Sequence, residues 1–320
     1  MKRLMGLLLA AALCLCGCMT DDAARPDRVS LVKPAIPEKL AAGKDGVPVL
    51  TVYDTSTKKL EEMDLEDYVA GVVAGEMKND WPLEALKAQA ILARTFVLKF
   101  CQDKDSRYEG ADISTDVSEA QAYAPQDVNH RVLQAVEMTR GQVMSVNGKY
   151  PYAWFHAHAG GMTERPSAAL DFKGEDPDYL TPTVSEESDK APEDVKRWTA
   201  AFTKDQVAQA CRESGLELDA VERVEVGEKG ESGRAKTLLV NGQPVSAPSF
   251  RIRIGANKLK SALIEDIRVE GDRVTFSRRG FGHGVGLSQW GAYAMAEKGN
   301  SAREIIRHYF PGVQLVGLWK

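Results

Sequence analysis

The chain has 320 residues, of which 43% are hydrophobic, and a formal net charge of -5 at pH 7. This length and composition can bury a core in one large domain or two small ones. The negative charge, with no cluster of Lys and Arg, argues against a nucleic-acid partner. Beyond the N-terminal segment only Cys101 and Cys211 remain. Two cysteines cannot form a disulfide framework and do not have zinc-site spacing, and whether they pair stays open.

The N-terminus has the pattern of a secretory signal. Lys2 and Arg3 precede an apolar run over residues 4–15, which is too short to span a membrane comfortably. The next residues, Leu15-Cys16-Gly17-Cys18, resemble a bacterial lipobox, which implies a lipoprotein signal over residues 1–18 and lipidation at Cys18. An ordinary signal peptide that contains cysteine is the alternative. Acyl chains on Cys18 would anchor the protein to a membrane surface in the cell envelope, with its domain in the periplasm or another extracytoplasmic space.

The remainder divides into a tether and a domain. Residues 19–45 are polar and contain three prolines, which predicts a flexible tether. Residues 46–320 are predicted to form the functional domain. Residues 171–195, rich in Asp, Glu and Pro, predict a long acidic surface loop within it.

The first half of the domain is predicted to contain three helices, a short strand and a hairpin. Residues 49–53 are apolar and β-branched, which favours a short strand. Asp64 can cap a helix over residues 65–76, and a second helix starts near Pro82 with an apolar stripe at helical spacing. Residues 128–139 predict a third helix. The Asn147-Gly148 pair predicts a hairpin that joins residues 142–146 to residues 152–156.

The second half mixes strands and helices. A helix over residues 203–214 is predicted to stop at Gly215. Short alternating runs between residues 221 and 276, including 250–254, predict strands. Ser301 and Glu304 form a capping box for the last of two C-terminal helices. The whole pattern predicts an α+β fold with helices packed on a mostly antiparallel sheet.

The segment 280–286 alternates glycine with three side chains, those of Phe281, His283 and Val285. In an extended chain, a period of two puts all four glycines, among them Gly284, on one face. A bare glycine face lets a flat group approach the backbone closely. We therefore predict that this segment forms the floor of a binding site.

Glu76 is the first candidate for chemistry. Leu65, Val69 and Val72 form the apolar stripe of the first predicted helix, and Glu76 is the next position on that stripe. A carboxyl group on a core-facing position resists ionisation, because burial raises its pKa, and this suits a general acid at neutral pH. The alternative is that the helix frays at Gly75 and Glu76 reaches water.

Other polar residues are weaker candidates. Lys87 and Arg94 are seven residues apart and share a helix face, where they either orient a substrate or are solvated charges. His156 and His158 alternate on a predicted strand, and with His283 they could bind zinc. Hydrogen bonding to substrate is the competing interpretation. Ser288 and Gln289 start a helix, where free backbone donors favour polar or anionic groups, and no nucleophile elbow accompanies Ser288.

Several segments together resemble the SpoIID/LytB family of bacterial cell-wall proteins over about residues 46–320. They are residues 65–77 with 84–90 and 93–96, residues 121–123, residues 155–164, more weakly residues 232–234, and residues 280–296 with Ile305 and residues 308–312. The resemblance implies a SpoIID-like fold and a lytic transglycosylase that cuts peptide-stripped peptidoglycan glycans, with Glu76 as the catalytic acid and no cofactor. The predicted substrate-binding residues are Lys87, Arg94, His156, Gly160, Gly161, His283, Gly284, Ser288 and Gln289.

Two other functions stay open. Some family members are described as enhancers of a cell-wall amidase, which makes a non-catalytic glycan-binding protein the alternative. Members that bind zinc do so through Cys and His near the segment that resembles residues 156–161, and this segment has His156 and His158 but no Cys. A zinc hydrolase using these two residues and His283 is therefore the weakest hypothesis.

Overall fold

The computed structural model describes residues 32–320. The predicted signal, its lipidation site Cys18 and the first part of the predicted tether lie outside these residues. The remaining part of the tether, residues 32–45, packs on the domain. Pro34, Pro37 and Leu40 are buried, and the Tyr150 hydroxyl donates to the Ala35 carbonyl at 3.1 Å. The packed domain therefore extends further toward the N-terminus than the predicted boundary at residue 46.

Most of the predicted helices are confirmed. In the described part of the chain the helices are α1 Leu65–Glu76, α2 Leu83–Asp103, α3 His130–Met138, α4 Pro166–Ala169, α5 Glu193–Lys196, α6 Lys204–Glu213, α7 Ala247–Gly255, α8 Gln289–Glu297 and α9 Ala302–Tyr309. The predicted capping box of Ser301 and Glu304 starts α9. Asp64 precedes α1 as predicted, but its side chain makes no capping hydrogen bond. No helix within residues 32–320 is both long and apolar enough to cross a membrane.

The strands form several small sheets. They are β1 Ala41–Ala42, β2 Pro48–Asp54, β3 Lys59–Asp64, β4 Ile113–Ser114, β5 Gln142–Ser145, β6 Phe155–His156, β7 Arg197–Thr203, β8 Val224–Val226, β9 Thr237–Val240, β10 Gln243–Ser246, β11 Ile264–Glu270, β12 Arg273–Arg279, β13 Leu287–Ser288 and β14 Gln314–Gly317. The sheets are β1-β2-β3 with β4 beside β2, β10-β9-β8, β11-β12-β7, β13-β6 and β14-β5. Pairing is parallel in β2-β4 and β6-β13 and antiparallel in the others. The mixed α+β class is thus confirmed.

Two hydrophobic clusters hold residues 32–320 together. The first is built around α2, which contacts α1, α3, α8 and α9. The second runs from Phe202 to Phe276 and lies among β7 to β12, α6 and α7. The chain leaves the first cluster after the region of Ala191 and returns to it at Val285. The glycine-alternating segment, residues 280–286, is therefore the return connection between the two clusters.

Two predicted elements are wrong. The Asn147-Gly148 turn forms, with both residues at positive φ, but Tyr152–His156 does not pair back on β5. Pro151 has no N–H to donate, and β5 pairs instead with the distant C-terminal strand β14. Residues 250–254 alternate like a strand but belong to α7. The Ser246 hydroxyl accepts from the Ser249 N–H and Pro248 lies in the first turn, and this start signal prevails over the alternation.

Candidate active site

A cavity of about 460 Å³ brings together residues from distant parts of the sequence. Its walls come from the end of α1, the segments around residues 117–121 and 153–157, and the glycine-alternating segment. The lining residues are Glu76, Phe96, Val117, Ala120, Gln121, Ala153, Trp154, Phe155, His156, Ala157, Asn257, Phe281, Gly282, His283 and Gln289. Four predicted site residues thus share one cavity, which we call the Glu76 cavity: Glu76, His156, His283 and Gln289.

Glu76 ends α1 and is half-buried in this wall. Its Oε1 accepts a hydrogen bond from the Ala122 N–H at 2.7 Å. Burial raises the pKa of Glu76, and hydrogen bonds from the Ala122 N–H and the Gln289 side chain partly offset this effect. A carboxyl group with a raised pKa that faces a cavity can donate a proton near neutral pH.

Two glycines of α1 allow the partner of Glu76 to come close. A Cβ at Gly75 would lie 2.7 Å from the Ala122 carbonyl carbon, and a Cβ at Gly71 would lie 2.2 Å from the Tyr123 ring. The Ala124 N–H also donates to the Gly71 carbonyl at 3.0 Å. The bare face of the helix therefore lets the segment of Ala122 dock and present its N–H to the carboxylate.

Gln289 connects the C-terminal part of the cavity to Glu76. Its Nε2 donates to the Glu76 backbone carbonyl at 3.1 Å, a carbonyl in the last turn of α1 that no further helical turn can satisfy. Gln289 itself is held at the start of α8, where the Ser288 hydroxyl accepts from the Gly291 N–H as the N-cap. The end of one helix and the start of another are thereby fixed against each other.

His156 and His283 lie side by side in the wall, with ring centroids 5.6 Å apart. His283 Nδ1 accepts from the Val285 N–H at 3.0 Å, and burial lowers the pKa of His283 to about 3. His156 is buried, which lowers its pKa well below the usual value, and its Nδ1 faces the Val285 carbonyl at 3.2 Å. Since a carbonyl only accepts, Nδ1 of neutral His156 carries the proton and Nε2 is an acceptor. No hydrogen bond joins His283 to Glu76 within residues 32–320.

Buried polar atoms without partners mark the cavity as a place for a polar ligand. His156 Nε2 and both amide atoms of Gln121 are buried and have no hydrogen-bond partner among residues 32–320. Both residues line the Glu76 cavity. Buried polar groups normally have partners, because an unsatisfied one costs about 1–3 kcal/mol. A ligand with hydroxyl and amide groups would satisfy them.

The four glycines of residues 280–286 have a different role from the predicted one. All four have positive φ, between 70° and 108°. A Cβ at Gly282 would meet His156 Cβ at 2.6 Å, one at Gly284 would meet the Arg234 guanidinium at 2.3 Å, and one at Gly286 would meet the Trp154 carbonyl oxygen at 2.1 Å. The glycine face therefore receives the protein's own segments rather than a ligand, and Phe281 and His283 are the side chains that reach the cavity.

Arg94 and Lys87 do not lie at the cavity. Arg94 is fully buried, and its guanidinium contacts the Glu66 carboxylate at 2.7 Å and donates to the Val136 carbonyl at 2.9 Å. Lys87 pairs with Glu84 at 2.7 Å on the flank of α2. Lys87 and Arg94 share a helix face, as their spacing predicts. Arg94 packs inside the protein, however, and Lys87 pairs with its neighbour Glu84.

His158, Gly160 and Gly161 line a second cavity, of about 280 Å³, together with Glu187. The Ser288 hydroxyl donates to the Glu187 carboxylate at 2.9 Å, and His158 Nε2 lies 3.9 Å from it. Burial raises the pKa of Glu187 to about 7. Ser288 therefore positions Glu187 by a hydrogen bond, and Ser288 itself lines neither of these two cavities. Glu187 comes from the predicted acidic loop, where no periodic pattern distinguishes it from its acidic neighbours.

Gln121 and Arg234 are further site residues whose roles the sequence pattern does not reveal. Gln121 faces the Glu76 cavity, whereas Arg234 is fully buried against Gly284 and donates to the Met162 carbonyl at 2.7 Å. Both lie in segments of the family resemblance. Their spacing does not indicate that Gln121 lines a cavity or that Arg234 is buried against the glycine-alternating segment.

A metal centre receives no support from the geometry. His156 and His283 face the Glu76 cavity, whereas His158 faces the second one. Within residues 32–320 no three His, Cys, Asp or Glu side chains are placed to hold a metal ion. Cys101 and Cys211 are both buried and unbonded in the structure, in different hydrophobic clusters.

Comparison with known proteins assigns the chain. A profile described as Stage II sporulation protein, SpoIID, matches residues 53–145. Stage II sporulation protein D from Bacillus amyloliquefaciens is 31% identical over 288 residues, which cover 85% of this chain and 80% of that protein. The chain belongs to the SpoIID family. A second profile, described as a domain of unknown function, DUF8618, matches residues 171–286.

Two further relatives bear on function. Stage II sporulation protein D from Bacillus subtilis (strain 168) is 30% identical over 297 residues, covering 87% of this chain and 81% of the relative. A protein named Amidase enhancer from the same organism is 27% identical over 289 residues, covering 77% of this chain but 40% of the relative. The family thus includes proteins named for sporulation and for amidase enhancement.

Proposed function

We propose that this SpoIID-family protein is a lytic transglycosylase that cleaves peptide-stripped peptidoglycan glycan strands between N-acetylmuramic acid and N-acetylglucosamine. One observation carries the proposal. Glu76 is the only carboxylic acid among the described residues that line its cavity, and burial raises its pKa. The unpartnered His156 Nε2 and Gln121 amide beside it suit the hydroxyl and acetamido groups of a sugar.

A single carboxyl group suits a reaction that needs no water. Glycosidases that use water usually need a second carboxylate as base or nucleophile. Here the Glu76 carboxyl group protonates the glycosidic oxygen, and the bond from that oxygen to C1 of the muramyl residue breaks. The muramyl 6-hydroxyl oxygen then bonds to C1, and its proton returns to the Glu76 carboxylate. The products are a 1,6-anhydro-muramyl end and a free hydroxyl on the departing sugar, and Glu76 regains its proton.

Glu119 does not supply the second carboxylate of a hydrolase. It lines an adjoining cavity, and its oxygens accept from the Arg107 N–H and the Ser106 hydroxyl at 2.6 and 2.9 Å. Burial acts to raise the pKa of Glu119, but hydrogen bonds from Arg107, Ser114 and Ser106 lower it overall. Glu119 is thus an occupied, ionised carboxylate at a different place.

The proposal is tested by digesting peptide-stripped glycans with the purified protein and measuring anhydro-muramyl ends by mass spectrometry. We expect such ends from the wild type and from Glu62→Gln, which alters an exposed carboxylate on β3. Glu76→Gln should produce at least about 100-fold fewer, since a general acid contributes about 10²–10⁴-fold in rate. Equal yields from Glu76→Gln and Glu62→Gln would refute the proposal.

A non-catalytic enhancer of a cell-wall amidase is the second candidate, and the relative named Amidase enhancer favours it. In that case the Glu76 cavity binds glycan without cutting it. Addition of the protein should then raise the rate of a cell-wall amidase on intact wall, with no anhydro-muramyl ends formed. Glu76→Gln should stimulate the amidase as well as the wild type does.

We also propose that the protein is lipid-anchored through Cys18 in the cell envelope. The signal pattern of residues 1–18 supports this, and the proposal concerns residues outside the described ones. Cells fed a labelled fatty acid should label the wild type but not Cys18→Ala. Equal labelling of both proteins would contradict the anchor.

A further inference from the structure

A third cavity, of about 320 Å³, which we call the Trp154 cavity, adjoins the Glu76 cavity. The two share the side chains of Phe96, Ala153 and Trp154 in their walls. The remaining wall of the Trp154 cavity is formed by Tyr152, Phe100, Glu119 and the charged residues at the end of α2, which are Lys99, Asp103 and Lys104. A chain-like ligand in the Glu76 cavity can therefore continue past Trp154 into this neighbour.

Aromatic rings dominate the shared boundary. The Tyr152 and Trp154 rings are stacked, with centroids 4.4 Å apart and an interplanar angle of 4°. Phe172 meets both rings edge-on, at 5.5 and 5.7 Å, which holds the pair in place. Tyr152 and Trp154 are both half-buried. Trp154 stacks on the Tyr152 ring and Lys99 Nζ also lies over that ring, so Trp154 is the member of the pair that can offer a ring face. Pyranose rings have apolar C–H faces that pack on such aromatic surfaces, as other flat apolar groups do.

Two lysines border the aromatic pair. Lys99 Nζ lies 4.2 Å from the centre of the Tyr152 ring and 2.9 Å from the Asp103 carboxylate. Lys104 Nζ lies over the Phe100 ring at 4.4 Å, and no carboxylate among residues 32–320 pairs with it. Glu119, the other acid in this wall, is neutralised in part by Arg107 at 3.5 Å. The Lys104 ammonium is thus the cation free to take an anion from a ligand.

We propose that the cavity of Tyr152, Trp154 and Lys104 is a second sugar-binding subsite of the Glu76 cavity, specific for a sugar that bears a free carboxylate. The Trp154 ring packs on the pyranose ring, Tyr152 supports Trp154 by stacking against it, and Lys104 pairs with the carboxylate. In a peptidoglycan strand that carboxylate belongs to the lactyl group of an N-acetylmuramic acid from which the peptide has been removed. The inference rests on the proposed function only in taking the strand as the ligand of the Glu76 cavity.

The test is a set of binding measurements by calorimetry on the full chain carrying Glu76→Gln, so that no strand is cut. The ligands are peptide-free glycan oligomers of two, four and six sugars, and N-acetylglucosamine oligomers of the same lengths, which lack the carboxylate. Lys104→Ala and Trp154→Ala are compared with Lys44→Ala, an exposed lysine far from either cavity in sequence and absent from both walls. Circular dichroism establishes that each variant is folded.

We expect affinity to rise from two to four sugars, because the second subsite then becomes filled. Trp154→Ala should lower the affinity for both kinds of longer oligomer by about three- to tenfold. Lys104→Ala should weaken only the muramic acid oligomers, by about two- to fivefold. Lys104 is exposed, so its replacement leaves the fold intact even where Trp154→Ala does not.

The outcomes separate this inference from the proposed function. If affinity does not rise with length, or if Lys104→Ala binds muramic acid oligomers as Lys44→Ala does, the subsite is refuted even when the wild type forms anhydro-muramyl ends. If the length and carboxylate dependence are found but no ends form, the subsite stands and the catalytic proposal falls.

Discussion

The Gln289 side-chain amide donates to the Glu76 backbone carbonyl at 3.1 Å, across 213 positions of sequence. This contact ties the C-terminal end of α1 to the start of α8. It places the candidate acid beside residues of the glycine-alternating segment. Gln289 is therefore a positioning residue for Glu76 in the proposed reaction, as well as part of the cavity wall.

Gln289→Ala tests that role. Loss of one hydrogen bond of about 1 kcal/mol should lower kcat about fivefold. Because the Gln289 side chain lowers the pKa of Glu76, its removal should also shift the pH profile of kcat upward. Gln126→Ala, an exposed glutamine, serves as the control. A fivefold loss without any shift in the pH profile would show that Gln289 contacts substrate instead.

Gly75 should not tolerate a side chain. In Gly75→Ala the new Cβ would lie 2.7 Å from the Ala122 backbone, so the segment that donates to Glu76 must move. We expect a loss of about 1–3 kcal/mol in the free energy of unfolding. Activity should also fall, because the Ala122 N–H leaves the carboxylate. Thermal unfolding and the glycan digestion measure the two effects.

Gly317→Ala is the matched control for this change. A Cβ at Gly317 meets nothing within 4 Å, and its φ is not positive. Its stability and activity should remain close to those of the wild type. If Gly75→Ala is as stable and active as Gly317→Ala, the close approach of Ala122 is not needed to position Glu76.

Arg94 stabilises the fold. Its pairing with Glu66 is buried, and Glu66 also accepts from the Gly141 N–H and the Trp319 indole N–H at 3.0 and 2.9 Å. Arg94→Met leaves that carboxylate buried with too few partners. The free energy of unfolding should fall by about 3–5 kcal/mol, with KM for glycan unchanged in the folded protein. A raised KM with unchanged stability would restore the substrate-binding role that the helix spacing suggests.

The position of Glu76 at the end of a buried helix follows from a local pattern, whereas its catalytic role stays a prediction. Leu65, Val69 and Val72 are buried as the stripe predicts, and Glu76 is half-buried. Tyr68 and Val73 are buried as well, because α1 is enclosed on more than one face. The role of the glycine-alternating segment can be predicted from the sequence only in part. Its composition indicates close approach to a backbone, but the approaching groups, Trp154, His156 and Arg234, come from other parts of the chain.

The remaining site residues depend on contacts that local patterns do not encode. Arg94 and Lys87 share a face as their spacing predicts, yet the spacing does not tell whether that face meets substrate or protein. Glu187 lies in an acidic stretch without periodicity. Its raised pKa comes from burial among segments that are distant in sequence, one of which supplies Ser288, 101 positions later, as a hydrogen-bond donor. Similarly, β5 pairs with β14, which no turn signal near β5 could predict.

Glu187 should make stability depend on pH in a direction unusual for an acid. Its pKa is raised to about 7 in the folded protein by burial, against an ordinary value of 4.5. The folded state therefore holds a proton that the unfolded state releases between these values. The stabilising contribution is complete below about pH 4.5 and is lost as pH rises through about 7.

Glu187→Gln removes this titration while retaining an acceptor for Ser288 and the Ala159 N–H. Chemical denaturation at pH 5, 6, 7 and 8 measures the free energy of unfolding of both proteins. We expect the wild type to lose up to about 3 kcal/mol relative to Glu187→Gln as the pH rises across this range. Glu62→Gln, the exposed counterpart, should follow the wild type.

The buried histidines do not obscure this comparison. Burial of His156, His158 and His283 lowers their pKa values, and their contribution to stability therefore changes with pH in the opposite direction in every variant. The difference between the variants thus isolates Glu187. A difference that stays constant from pH 5 to 8 would show that Glu187 is already ionised in the folded protein.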